Sequence, residues 1–156
     1  MLRVGTDCSG LDSPIWALKR LGIEHRHVFS SEVNLDCVKT ILANHSPEIL
    51  YGDPNSSTPN GDISERDMSS TPPCDLYVCG FPCQPFSVSG SLQGVSDPRG
   101  TIFWSCVKYI ETHRPKWFVL ENVKNLVHMQ GGKVFESILK ELSKLSGYEV
   151  SHSVLN

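Results

Sequence analysis

Leu2-Arg3-Val4-Gly5-Thr6-Asp7-Cys8-Ser9-Gly10-Leu11-Asp12-Ser13-Pro14-Ile15-Trp16-Ala17-Leu18-Lys19-Arg20-Leu21-Gly22 is the stretch on which the fold turns. Residues 2–7 read as a short strand. Ser13 and Pro14 read as a helix start, with serine as N-cap and proline in the first helical position, where its missing N–H costs nothing. Ile15, Leu18 and Leu21 then share one helical face, and Gly22 stops the helix. Between strand and helix stand small residues and a glycine, which let a backbone approach a ligand closely.

No internal repeat is visible, and strand and helix alternate along the chain. Residues 27–33 are the next expected strand. Asn34 caps a helix that turns Val38, Ile41 and Leu42 inward, and residues 49–51 make a third short strand. Residues 52–73 are polar and rich in turn formers, so they read as loop. Residues 76–79 form a buried-type strand, followed by a Gly/Ser/Pro stretch over 80–100. Phe103, Val107 and Ile110 mark a helix ending near His113, and residues 117–120 another apolar strand. Phe135, Ile138, Leu139, Leu142 and Leu145 form a helical stripe that Gly147 ends. A further strand is expected over 148–154. Apolar strands alternating with helices predict an α/β fold with a parallel sheet, whose ligands sit at the carboxyl ends of the strands.

The chain has 156 residues and a net charge of −3. That length suits one domain with a core. No apolar run is long enough for a membrane span, and the first residues lack the blocks of a secretory signal. Cys8, Cys37, Cys74, Cys79, Cys83 and Cys106 contain no CxxC pair and match no compact disulfide framework, so reduced thiols and an intracellular setting are expected. A protein that grips duplex DNA unaided normally presents a basic surface. If this chain acts on DNA, much of the grip lies elsewhere.

Three motifs fall at strand ends. Residues 7–12 join the first strand to the first helix, and Glu32 ends the second roughly twenty residues on, where an acid accepts ribose hydroxyls. Without a full GxGxxG, an adenosine lacking phosphates fits better than a pyrophosphate. Asp62 and Ile63 offer a third contact, for adenine. An ordinary turn with solvated acids remains the alternative. Gly80-Phe81-Pro82-Cys83-Gln84-Pro85-Phe86-Ser87 sets one cysteine between prolines at the sheet edge, a stiff presentation that suits a nucleophile. A buried structural cysteine, a metal ligand with Cys74 and Cys79, and a redox thiol remain alternatives. Glu121-Asn122 follows an apolar strand, so a partly desolvated carboxyl that protonates or hydrogen-bonds a ring nitrogen is expected.

Together, residues 80–87, Asp97-Pro98-Arg99-Gly100-Thr101-Ile102-Phe103 and Leu120-Glu121-Asn122-Val123-Lys124-Asn125-Leu126 resemble, in order and spacing, successive motifs of the DNA cytosine-C5 methyltransferase family. Residues 7–11 resemble its first cofactor motif, and Glu32 and Asp62-Ile63 its ribose and adenine positions. The resemblance implies a Rossmann-like sheet, S-adenosylmethionine as methyl donor, and a cytosine swung out of the duplex. It implies Cys83 as nucleophile, with Glu121 and Asn122 as its catalytic companions. It implies a cofactor pocket formed by Ser9, Gly10, Leu11, Ser13, Glu32, Val33, Asp62, Ile63, Pro82 and Ile102, and DNA contacts from Gln84, Ser87 and Ser89. No metal is implied.

Two departures stand out. Where the family has two glycines, this sequence has Asp12 and Ser13; an aspartate here is expected to make the loop acidic against the cofactor carboxylate. The family's later Gln-x-Arg-x-Arg motif, target-recognition domain and final helix are also absent. Residues 1–156 therefore read as a partial catalytic domain, truncated before its final hairpin, with an exposed edge on its last strand. The expected partners are DNA and a C-terminal methyltransferase segment or subunit, with no membrane. The expected location is the nucleus in a eukaryote, or the cytoplasm or nucleoid in a bacterium. Transfer RNA cytosine methylation, and a non-catalytic module that binds cofactor or partner, are the other readings. The transfer RNA branch tends to carry threonine at the position of Ser87, which favours DNA.

Overall fold

The computed structural model describes residues 1–82 and 101–155. Cys83, Gln84, Ser87 and Ser89 lie outside the described residues. Among the described residues, five strands make one sheet in the order β3-β2-β1-β4-β5. They are β1 (Leu2–Asp7), β2 (His25–Ser31), β3 (Ile49–Tyr51), β4 (Leu76–Cys79) and β5 (Trp117–Leu120). Every pairing is parallel. The helices are α1 (Ser13–Arg20), α2 (Leu35–Asn44), α3 (Thr101–His113) and α4 (Lys133–Leu142).

The chain runs outward from β1 to β3, then returns to place β4 on the other side of β1. The strand order therefore reverses between β1 and β4, the place where open parallel sheets bind ligands. Register sharpens the point. Tyr51 pairs with Ser31, Ser31 with Asp7, Asp7 with Cys79, and Cys79 with Leu120. All five strands thus end on one row, and each motif begins immediately beyond it.

The larger core holds Phe29, Tyr51, Tyr77, Phe103, Tyr109 and Ile138, sealed by α3 and α4. Val4 packs with Ile15 and Leu18 of α1, and Leu50 with Val38 and Ile41 of α2. Tyr77 and Tyr109 stack at 4.4 Å and are both fully buried. Burial pushes both phenols above their ordinary range. Beneath them lies an ion pair: Arg66 Nη2 donates to both Asp7 oxygens at 2.8 and 2.7 Å, and Tyr77 donates to Asp7 Oδ2 at 2.7 Å.

Several local expectations are corrected. The N-cap of α1 is Asp12, not Ser13, in a left-handed conformation with no side-chain cap. Leu21 and Leu42 face solvent, at 72% and 51% exposure. The short helices α1 and α2 each cover a narrow strip of sheet, and one i, i+3 pair of apolar residues fills it. No strand forms over 148–154. That segment is held instead by side chains: the Tyr148 ring meets Phe118 at 5.1 Å, and its hydroxyl donates to the Pro115 carbonyl at 2.5 Å. The exposed edge is therefore β5 itself, where Trp117 and Val119 are 59% and 51% exposed.

Candidate active site

The first side of the site is the loop after β1. Cys8, Gly10 and Asp12 all adopt positive φ, so the backbone zigzags through the left-handed region. Such a path is costly for Cys8 and Asp12 and needs outside restraint. Ser9 supplies part of it: its N–H and its hydroxyl both donate to the Ser31 carbonyl at 3.0 Å, and the hydroxyl accepts the Ser31 N–H at 3.0 Å. The Ser9 side chain is thus engaged with β2, and the loop's backbone is what remains for a ligand.

Glu32 stands one residue past β2. Its Oε2 accepts the Gly10 N–H at 2.8 Å, while Oε1 accepts the N–H groups of Val33 and Asn34 at 2.8 Å each. Oε1 is saturated, whereas Oε2 keeps a lone pair for one further donor. Gly52 and Gly61 press on the same turn: a Cβ at either would sit 2.0 Å from the Glu32 carbonyl oxygen. Only glycine permits this crossing, and it brings Asp62 beside Glu32. Asp62 Oδ1 accepts the Ser64 N–H and hydroxyl at 2.8 and 2.7 Å, capping the turn Ile63–Glu65. The Ile63 side chain is buried in the core at 2% exposure, so a ligand can meet its backbone only. Leu11, Ser13 and Val33 are exposed along this rim, and Ile102 is half-buried at the head of α3.

The second side joins β4 to β5. Glu121 N–H donates to the Cys79 carbonyl at 2.9 Å, extending the ladder past Leu120. Asn122 Nδ2 donates to the Phe81 carbonyl at 2.7 Å. A Cβ built on Gly80 would lie 3.4 Å from Glu121 Oε2 and 3.6 Å from the Cys8 carbonyl oxygen. The stem of the cysteine loop therefore passes between the first loop and the Glu121 carboxylate. Phe81 is buried and Pro82, next to Cys83, is exposed. Glu121 itself is exposed, against the partial desolvation expected of it; β5 is an edge strand, and solvent reaches its end. Beside it a cavity of about 520 Å³ opens, lined by Phe81, Glu121, Asn122, Leu139, Val150 and Leu155 among others.

Sequence reasoning missed three features. Asp12 does not make the surface of the loop acidic: it is fully buried, bonded to Thr6 Oγ1 at 2.9 Å and Ser30 Oγ at 2.5 Å. Its partners Thr6 and Ser30 face each other across β1 and β2, a pairing with no local sequence signal. The Asp7–Arg66 pair had none, since Arg66 sits in a stretch that reads as loop. Cys79 and Cys106 Sγ atoms lie 3.2 Å apart, both fully buried. Among the described residues no group of three or more His, Cys, Asp or Glu is placed to hold a metal ion. No helix of the described residues is long and apolar enough to cross a membrane.

Comparison with known proteins places this arrangement. The chain is 39% identical over 140 residues to the type II methyltransferase M.BanI of Aneurinibacillus aneurinilyticus, covering 90% of the chain and 30% of that protein. It is 40% identical over 140 residues to M.HaeII of Haemophilus aegyptius, covering 88% and 41%. The chain thus spans well under half of these relatives' length. The fold matches the crystal structure of the S. pombe Dnmt2 methyltransferase with a TM-score of 0.64 at 22% identity, over 90% of this chain and 42% of that one. The family model for C-5 cytosine-specific DNA methylase matches residues 8–156, and the chain belongs to that family.

Proposed function

We propose that this chain is the nucleophile-bearing part of an enzyme that transfers a methyl group from S-adenosylmethionine to C5 of cytosine in DNA, completed by a C-terminal segment that reads the target. The observation that carries this reading is the course of Gly80-Phe81-Pro82, packed between the first loop and Glu121 on the way to Cys83.

The donor set fits the cofactor. The free capacity of Glu32 Oε2 suits a ribose hydroxyl and Asp62 Oδ2 suits the adenine amine, while Gly10, Leu11, Ser13, Val33, Pro82 and Ile102 line the approach. The bound cofactor supplies an electrophilic methyl group. The remaining chemistry belongs to the chain and the base. The Cys83 thiolate adds to C6, which breaks the ring's aromaticity and makes C5 an enamine carbon. Glu121 holds N3 and the exocyclic amine and offsets the charge that develops there. Asn122 braces the cysteine loop through the Phe81 carbonyl. After C5 is alkylated, loss of its proton to a base expels Cys83 and restores aromaticity. Gln84, Ser87 and Ser89 follow in the loop that meets DNA. With a net charge of −3, most phosphate contact falls to the C-terminal segment.

The test is transfer of a labelled methyl group to duplex DNA. The isolated chain is expected to show little turnover. Addition of the C-terminal part of a matched relative is expected to restore transfer to cytosine C5. No transfer in any combination would overturn the reading.

A further inference from the structure

We propose that Asp12 is a positioning residue for cofactor binding: its buried carboxylate anchors the backbone of residues 8–12 in the shape that receives S-adenosylmethionine. This rests on the function proposed above.

The family resemblance puts a glycine at this position, and the left-handed φ of 60° explains why. A glycine reaches that conformation freely but does not hold it. Aspartate tolerates it better than most residues and here adds an anchor. Thr6 donates to Oδ1 at 2.9 Å, and Ser30 donates to Oδ2 at 2.5 Å. His27 Nε2 lies 3.3 Å from Oδ2 and 2.7 Å from the Ser30 hydroxyl. With the proton on Nε2, His27 donates to Ser30 and Ser30 to Asp12, so one chain of donors converges on the carboxylate. Thr6 also touches the Ser9 hydroxyl at 2.8 Å. The anchor therefore reaches both ends of the loop: Asp12 at its exit and Ser9 at its entry, each tied to β1 and β2.

The functional consequence is preorganisation. A loop with three left-handed residues has many competing shapes when free, and ordering it on binding subtracts from affinity. Asp12 removes that cost in advance. It also points its charge into the sheet, away from the cofactor's carboxylate, so the feared repulsion does not arise.

The experiment measures S-adenosylhomocysteine affinity by calorimetry, with circular dichroism and melting temperature recorded for the same samples. Asp12→Ala is expected to weaken binding about tenfold or more, while Asp12→Asn, which keeps shape and one acceptor, stays within about threefold of wild type. Asp12→Gly discriminates the mechanism. If Asp12 merely relieves or bears backbone strain, glycine binds as well as wild type; if it anchors, glycine weakens binding like alanine. Should Asp12→Ala fail to fold, Ser30→Ala removes one holder and is expected to cost about threefold. Folded glycine and alanine variants that bind within about twofold of wild type would overturn the inference alone. Absence of binding by the wild-type chain would overturn the cofactor site and this inference with it.

Discussion

Glu121 and the cysteines separate chemistry from packing at the level of single residues. Glu121 is exposed at the end of β5 and holds no packing position. Glu121→Gln in the completed enzyme is expected to lower methyl transfer by about a hundredfold or more and to leave the melting temperature unchanged. A kcat equal to wild type would remove Glu121 from the mechanism. The buried thiols behave oppositely. Burial pushes Cys74 up to about 11 and holds Cys79 well above its ordinary range. Since the thiolate is the reactive form, brief alkylation near neutral pH is expected to spare Cys74 and Cys79 in peptide mapping, and Cys106 is spared because it is fully buried. Rapid modification of any of the three in folded protein would contradict their placement. Glu32 and Glu121 were legible in the sequence as acids at strand ends, and the structure has them one residue beyond β2 and β5. The direction of the Asp12 side chain was not. It depends on Thr6 and Ser30 meeting across β1 and β2, and a register of that kind has no local signature.

Elements are coupled here by two ion pairs at opposite ends of the sheet. At the carboxyl end, Asp7 and Arg66 tie β1 to the turn Ile63–Glu65, so the loop after β1 and the loop that carries Asp62 share one buried contact. Asp7→Ala leaves a buried guanidinium without its charge partner and is expected to cost about 3–5 kcal/mol in urea unfolding. A loss below about 1 kcal/mol would show that the pair is dispensable. At the amino end, Arg3 donates to Asp75 at 3.1 Å, and Lys116 lies 3.5 Å away. Hydrogen bonding to Arg3 holds the Asp75 carboxyl well below the usual range. The folded state thus binds the proton less readily than the unfolded state. Its stabilisation is complete above the unfolded value of about 4 and fades as pH falls further. Melting temperature is expected to drop below about pH 4 in wild type and to drop less steeply in Asp75→Asn; parallel acid limbs would contradict this. β1, β3, β4 and β5 were legible to the residue from apolar runs bounded by turn formers. The strand expected over 148–154 was not formed, because a strand exists only by its partners and β5 offers a ladder that this segment does not join.

Across the whole molecule, the sheet order and the common row of strand ends explain why motifs spread over the sequence meet. The alternation of elements made the α/β class legible. The switch point between β1 and β4 was not, since it requires knowing on which side of β1 the fourth strand lies. Trp117 and Val119 of β5 are exposed, and the cavity opens beside Glu121 at the end of the same strand. The proposed chemistry requires the Cys83 sulfur and the Glu121 carboxylate to address one cytosine. Trapping on duplex DNA containing 5-fluorocytosine, with S-adenosylmethionine and a C-terminal segment present, tests it most directly. A stable adduct mapped to Cys83 is expected, abolished in Cys83→Ser and strongly reduced in Glu121→Gln. An adduct at another cysteine, or one indifferent to Glu121, would contradict it.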